Sequence, residues 1–265
     1  MVDAVAALLS GAPGYAEVSP CPALRPYVRC IWTLCDPRPA TNFERVLPDG
    51  CCEVILNHAD PFRTQDGVQP LWMAVGELRG PLAIAPTGEA RLIGIRFEPG
   101  GLFPFLGGRS VAELNDGFEG LEGALREALR CARSVAAIEV ALLDRLGPSS
   151  GFVRAAARAI RASRGQVEIG QLADELRVGA RNLERAFARE VGLAPKFLAR
   201  VERFQAVLRS IGSGPPPAWA ELAQSCGYSD QPHLIRDFTR FAGTSPAAYL
   251  RETHGLNDQF VGNVQ

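Results

Sequence analysis

The sequence predicts an α+β chain. A β-barrel (cupin-like) amino-terminal half with flanking helices leads into an all-α segment of two helix-turn-helix units joined by a long helix. Three observations predict this. Short β-rich runs alternate with turn signals over the first hundred residues, the texture turns helical after Pro99-Gly100-Gly101, and the carboxyl-terminal segment repeats itself. At 265 residues the chain can hold one large core or two modest ones. The expected units are 1–147, with helices over 119–146, then 152–252, then a polar tail 253–265.

The opening, MVDAVAALLSGAPGY, is apolar but has no basic n-region, so it reads as a disordered or helical lead-in and not a secretion signal. Residues 27–34, 51–57, 71–76 and 91–97 are short runs rich in β-branched and aromatic residues. Pro48-Asp49-Gly50, Asp60-Pro61, Asp66-Gly67, Gly80-Pro81 and Thr87-Gly88 separate them as turns. The spacers are too short for crossover helices, which favours a barrel or sandwich over a βαβ fold. In 91–97, Leu92, Gly94 and Arg96 share one face and Ile93, Ile95 and Phe97 the other.

Helices follow. Ser110 opens a short one over 110–115, and two longer ones lie near 119–132 and 134–146, the second with Ser134 as N-cap. Both suit either intrachain packing or pairing with a second copy. Gly147-Pro148-Ser149-Ser150-Gly151 is the expected linker. Beyond it, helices are expected near 152–163, 169–176, 180–191, 195–210, 218–226, 231–242 and 246–252.

Apolar residues make up 47%, yet no run reaches the roughly 18 residues that span a bilayer, so no membrane segment is expected. Seven cysteines without an export signal point to reduced thiols and a cytoplasmic setting. The net charge of −1 hides an asymmetry. Residues 1–147 hold 13 arginines against 18 acids, a net of −5; the remainder holds 14 arginines and Lys196 against 11 acids, a net of +4. A basic half beside an acidic one suits a polyanion partner.

The repeat carries the functional reading. Leu183 pairs with Leu234, Arg185 with Arg236, Phe187 with Phe238, Gly192 with Gly243, Pro195 with Pro246 and Arg200 with Arg251, all at an offset of 51. Leu172-Ala173 pairs with Leu222-Ala223 at an offset of 50, so one turn is a residue longer. Each copy, about 169–191 and 218–242, reads as helix, glycine turn, helix: Val178-Gly179 in the first, Cys226-Gly227 in the second. Leu183 and Phe187 face inward, which leaves Arg181, Asn182, Glu184, Arg185 and Arg189 outward. Ser229, Gln231, His233, Arg236 and Arg240 take comparable places beside Leu234 and Phe238. Arginine reaches guanine with two hydrogen bonds, glutamine pairs with adenine, and glutamate accepts from cytosine. Helix N-termini and Ser229 suit phosphate.

On these residues the segment 168–252 resembles the AraC/XylS family of bacterial regulators, most closely over SCGYSDQPHLIRDFTRFAGTSPAAYLR. The resemblance implies a DNA-binding domain that enters two successive major grooves. RVLPDGCCEVILN and VGELRGPLAIAPTGEARLIGIRFEPGG resemble the barrel-like amino-terminal domain of some of these regulators, where a signal is sensed or dimers form.

For that half, Trp32, Arg45, Glu53, Trp72 and Arg96 are the expected effector-pocket residues. Three histidines, with only His58 in the front half, disfavour a metal centre or a serine triad. Cys51 and Cys52, adjacent in a strand, point to opposite faces and are not a chelating pair. No catalytic residue, metal or cofactor is assigned. The expected partners are double-stranded DNA, a small-molecule effector, a second copy of the chain, and RNA polymerase if the protein activates. The alternative is a DNA-repair or modifying protein with an acceptor cysteine in its front half.

Overall fold

A computed structural model describes residues 4–9, 11–212 and 218–251. The expected tail and the end of the last helix lie outside them. The front half starts with helix α1 (Ala4–Leu9) and continues through strands β1 (Gly14–Val18), β2 (Val28–Asp36), β3 (Glu44–Val46), β4 (Glu53–Asn57), β5 (Phe62–Arg63), β6 (Trp72–Val75), β7 (Leu82–Pro86) and β8 (Ala90–Phe97). Two single-turn 3-10 helices, Phe103–Phe105 and Val111–Leu114, lead to strand β9 (Phe118–Gly120) and helices α2 (Gly123–Arg130) and α3 (Val135–Leu143). The remainder is helical: α4 (Gly151–Ala162), α5 (Ile169–Glu175), α6 (Ala180–Glu190), α7 (Pro195–Gly212), α8 (Trp219–Ser225), α9 (Gln231–Ala242) and α10 (Pro246–Tyr249).

The strands form two antiparallel sheets, one of six strands in the order β1-β2-β8-β4-β6-β9 and one of three in the order β3-β7-β5. They face each other without closing into a continuous barrel, so the α+β, cupin-like expectation describes the architecture. Alternation along β8 divides its residues: Ile93, Ile95 and Phe97 enter a core shared with α2 and α3, while Leu92 and Arg96 turn toward the smaller sheet. Gly94 pairs in register with Trp32, and the indole lies where a side chain at 94 would be.

Three details differ from the sequence expectation. Cys51 and Cys52 precede β4 and are not part of it, although their thiols still diverge, one toward Arg29 and one toward Glu77. The helix expected over 119–132 begins at Gly123, because Phe118–Gly120 pairs with β6 at the sheet edge. Ser110 caps a 3-10 helix and not an α-helix, through a full capping box with Glu113. Ser134 caps α3 as expected, accepting from the Ala137 amide.

The helical half has two separate small cores. Val153, Ile160, Leu172, Leu183, Phe187 and Leu198 fill the first, and Val201, Phe204, Leu222, Leu234, Phe238 and Phe241 the second. Helix α7 runs through both, and Phe197 packs against each. Leu47 of the front half is buried in the second core.

Candidate nucleic-acid interface and the cavity behind it

Helices α6 and α9 form for the same reason. Leu183 and Phe187 in one, and Leu234 and Phe238 in the other, stand four residues apart and are buried, so each helix is held by one apolar stripe. The opposite face is left to water. Arg181, Asn182, Glu184 and Arg185 are exposed on α6, and Arg185 donates to the Asn182 side chain at 3.1 Å. On α9, Arg236 is exposed and Gln231 half-exposed. Asp230 caps α9 by accepting from the His233 amide at 2.7 Å, which holds its carboxyl below the usual range. Pro232 sits in the first turn, where its missing amide costs no helical hydrogen bond.

Four outer residues are tied down. Ser229 lies 3.1 Å from His233 Nδ1 and donates to Asp230. His233 stands edge-on to Tyr228 and 3.9 Å from Asp237. Arg189 does not belong with the free outer residues: it lies over the Phe103 ring and donates to the Gly108 carbonyl of the front half. Arg240 lies over Phe197. Both sit late in their helices, facing the body of the protein.

The two turns differ from expectation in one respect. In the first unit the left-handed residue is Arg177, at φ 54°, while Gly179 is extended and caps α6 without a side chain. In the second it is Gly227, at φ 78°. Residues 177 and 227 are equivalent at the offset of 50.

Behind these helices, the two sheets and α7 enclose a cavity of about 140 Å³. Such a space matches a single aromatic ring, since a cavity of roughly 150 Å³ holds benzene. Trp32, Glu53 and Arg96 line it as expected, with Phe62, Met73 and Ile84 as apolar wall. Arg96 donates to Glu53 at 2.6 Å and stands 3.8 Å from Asp49. Burial opposes that charge, but the two carboxylates outweigh it and hold the guanidinium above its usual range. The sequence missed Glu202, Gln205 and Arg209, which reach the same cavity from α7. Nothing in the local pattern relates them to a strand 150 residues earlier. Gln205 donates to the Pro48 carbonyl at 2.7 Å, and Arg161 joins Glu202 to Glu98. Burial pushes Glu202 up, against the pull of Arg161.

Two expected pocket residues lie elsewhere. Trp72 alternates with the cavity-lining Met73, so its ring faces the other side of the sheet, against His58 and Arg126. Arg45 is not among the cavity-lining residues and donates to the Ala242 carbonyl at the end of α9, at 3.2 Å.

Two family models match the chain: a domain of unknown function over residues 16–118 and a helix-turn-helix domain over residues 172–252. A probable AraC family transcriptional regulator from Rhodopseudomonas palustris CGA009 is 30% identical over 38% of this chain and 96% of its own, with a TM-score of 0.35. The chain belongs to the AraC family of transcriptional regulators. The DNA-binding domain of AdpA, solved with a target DNA, is 27% identical over 38% of this AraC-family chain and 90% of its own, with a TM-score of 0.34. ToxT from Vibrio cholerae spans more, 85% of this chain and 98% of its own, at 10% identity and a TM-score of 0.44. No curated protein matches this regulator. As a member of the AraC family, the protein is a DNA-binding transcription regulator and not an enzyme. The repair alternative finds no support. An acceptor cysteine works as thiolate, and burial pushes the Cys30 thiol up to about 12 and those of Cys51 and Cys52 higher. Among the described residues no helix is long and apolar enough to cross a membrane.

Proposed function

We propose that this regulator reads double-stranded DNA with the first turns of α6 and α9. Arg181, Asn182, Glu184 and Arg185 would read one half-site, and Ser229, Gln231, His233 and Arg236 the other, in successive major grooves. The observation that carries the reading is the repeat itself: two copies bury the same stripe and leave the same face polar and exposed. The role fits a recognition helix, whose early residues meet base edges. A small-molecule effector would occupy the cavity bounded by Trp32, Glu53, Arg96 and α7. Pairing with a second copy is supported by α3, whose Val140 is 57% exposed with Leu143 close by. A cytoplasmic site of action and contact with RNA polymerase, where the regulator activates, complete the proposal.

The test is selection of bound sequences from random DNA, followed by affinity measurements on the selected operator. Arg185→Ala and Arg236→Ala should each cost about 1–3 kcal/mol and relax the preference at one base position. Binding should also fall steeply with salt as phosphate counterions are released. Unchanged operator affinity in both variants would reject the assignment.

A further inference from the structure

The front half grips the two reading helices at equivalent residues. Gly192 and Gly243 are repeat partners, and each ends its helix in a left-handed conformation, at φ 87° and 71°. The Asn115 side chain donates to the Gly192 carbonyl at 2.5 Å, and a Cβ at Gly192 would stand 2.6 Å from Asn115 Oδ1. Ser110 adds a hydrogen bond to the Arg189 carbonyl at 3.2 Å. At the other helix, a Cβ at Gly243 would stand 3.0 Å from the Pro81 ring, and Arg45 donates to the Ala242 carbonyl.

One short segment joins these grips. Residues 76–81 run from the end of β6 to the start of β7, and six residues span at most roughly 20 Å. At one end, a Cβ on Gly76 would run into the backbone of Leu114 and Asn115. Asp116, next to Asn115, donates its amide to the Glu77 carbonyl at 3.0 Å and accepts the Arg79 amide at 2.7 Å. Arg79 also pairs with the Asp116 carboxylate at 3.5 Å. At the other end are Gly80, near the Arg240 carbonyl, and Pro81 itself. The connection therefore runs from Gly192 through Asn115 and Asp116 into 77–79, and along the segment to Pro81 and Gly243.

The two helical units touch directly where Gln166, just before α5, donates to the Ser225 carbonyl at 3.4 Å. Their cores are separate, and α7 is the element that runs through both. Segment 76–81 adds a connection from outside the helical half, which closes a frame around both units. The segment also borders the cavity, since Val75, Gly76, Leu78 and Leu82 line it.

We propose that residues 76–81 are a spacer bar that sets the distance between the reading helices. The inference rests on the DNA reading proposed above. It concerns which half-site spacing the protein accepts, not which bases it reads.

The experiment uses the full chain and the selected operator, with the half-sites at their selected spacing and with one to three base pairs inserted or deleted between them. The wild type prefers the selected spacing by at least about tenfold. Asn115→Ala combined with Arg45→Ala reduces that preference to within about threefold, and leaves affinity for an isolated half-site within about twofold. Circular dichroism and melting confirm the fold; if the double variant is unstable, Asn115→Ala and Arg45→Ala are measured singly, and each reduces the preference in part. Unchanged spacing preference in a folded variant, or a wild type indifferent to spacing, overturns the bar. Operator binding insensitive to Arg185→Ala and Arg236→Ala overturns the DNA reading instead, so the two failures are told apart.

Discussion

The two helix-turn-helix units follow one plan with different means. In the second unit the tight turn falls on Gly227, Asp230 caps the reading helix, and Tyr228 packs beside His233. In the first, Arg177 holds the same left-handed turn, Gly179 offers no side-chain cap, and support comes from outside. Ser150 donates its amide and hydroxyl to the buried Glu190 at 2.9 and 2.5 Å, and Ser110 and Asn115 hold the backbone at the helix end. The front half holds the end of both reading helices, but only the second starts on a side-chain cap of its own. A repeat conserves shape within a chain, and chemistry can be shared out differently between the copies.

The largest effects should probe how separate the units are. Phe187→Ala and Phe238→Ala each remove a fully buried ring, 0% and 1% exposed, and should cost about 3–5 kcal/mol in thermal or denaturant unfolding. Hydrogen exchange should show the loss confined mainly to the mutated unit; equal loosening of both would break the comparison. Next comes the turn. Gly227→Ala forces a side chain into a left-handed residue with Gln166 at 2.7 Å, and should destabilise by about 1–2 kcal/mol. Arg177→Gly should do the reverse and stabilise by about 0.5–1 kcal/mol, the relief of strain less the entropy glycine loses. If both substitutions move the melting temperature the same way, the equivalence of the two turns is wrong.

The smallest effect is a pH dependence that the second reading helix has and the first lacks. Asp230 has its folded pKa lowered, first by the His233 amide, so the cap's contribution is complete above the ordinary aspartate value near 4 and is lost as pH falls through the lower folded value. The stability difference between the wild type and Asp230→Asn, followed from neutral pH into acid, should shrink below about pH 4. The first reading helix, capped by Gly179, has no such group. A difference that persists unchanged into strong acid would show that the carboxylate is not what holds α9.

Much of this was legible because periodic burial writes itself into sequence. Leu183, Phe187, Leu234 and Phe238 announce their helices, and the constant offset announces the repeat. Alternation in β8 placed Arg96 beside Leu92 on the cavity face. The same rule could not place Trp72, because period two says only that Trp72 and Met73 oppose each other, and the register with β4 decides which one faces the cavity. Arg177 was missed because glycine is the usual sign of a left-handed turn, and Gly179 stood two residues away. Arg45, Asn115 and Arg189 act between halves of the molecule, through contacts that no local window contains. Glu202 and Gln205 read as part of an ordinary amphipathic helix until α7 is laid against the sheets.

That placement of α7 decides how the protein can be taken apart. The cup formed by the strands is missing a side until Glu202, Gln205 and Arg209 supply it. A fragment cut at the Gly147–Gly151 linker would leave the cup open to water, with Glu98 parted from Arg161 and the Pro48 carbonyl from its donor. A molecule that fits the intact protein would meet a different receptor in that fragment, so affinity for it belongs to the uncut chain.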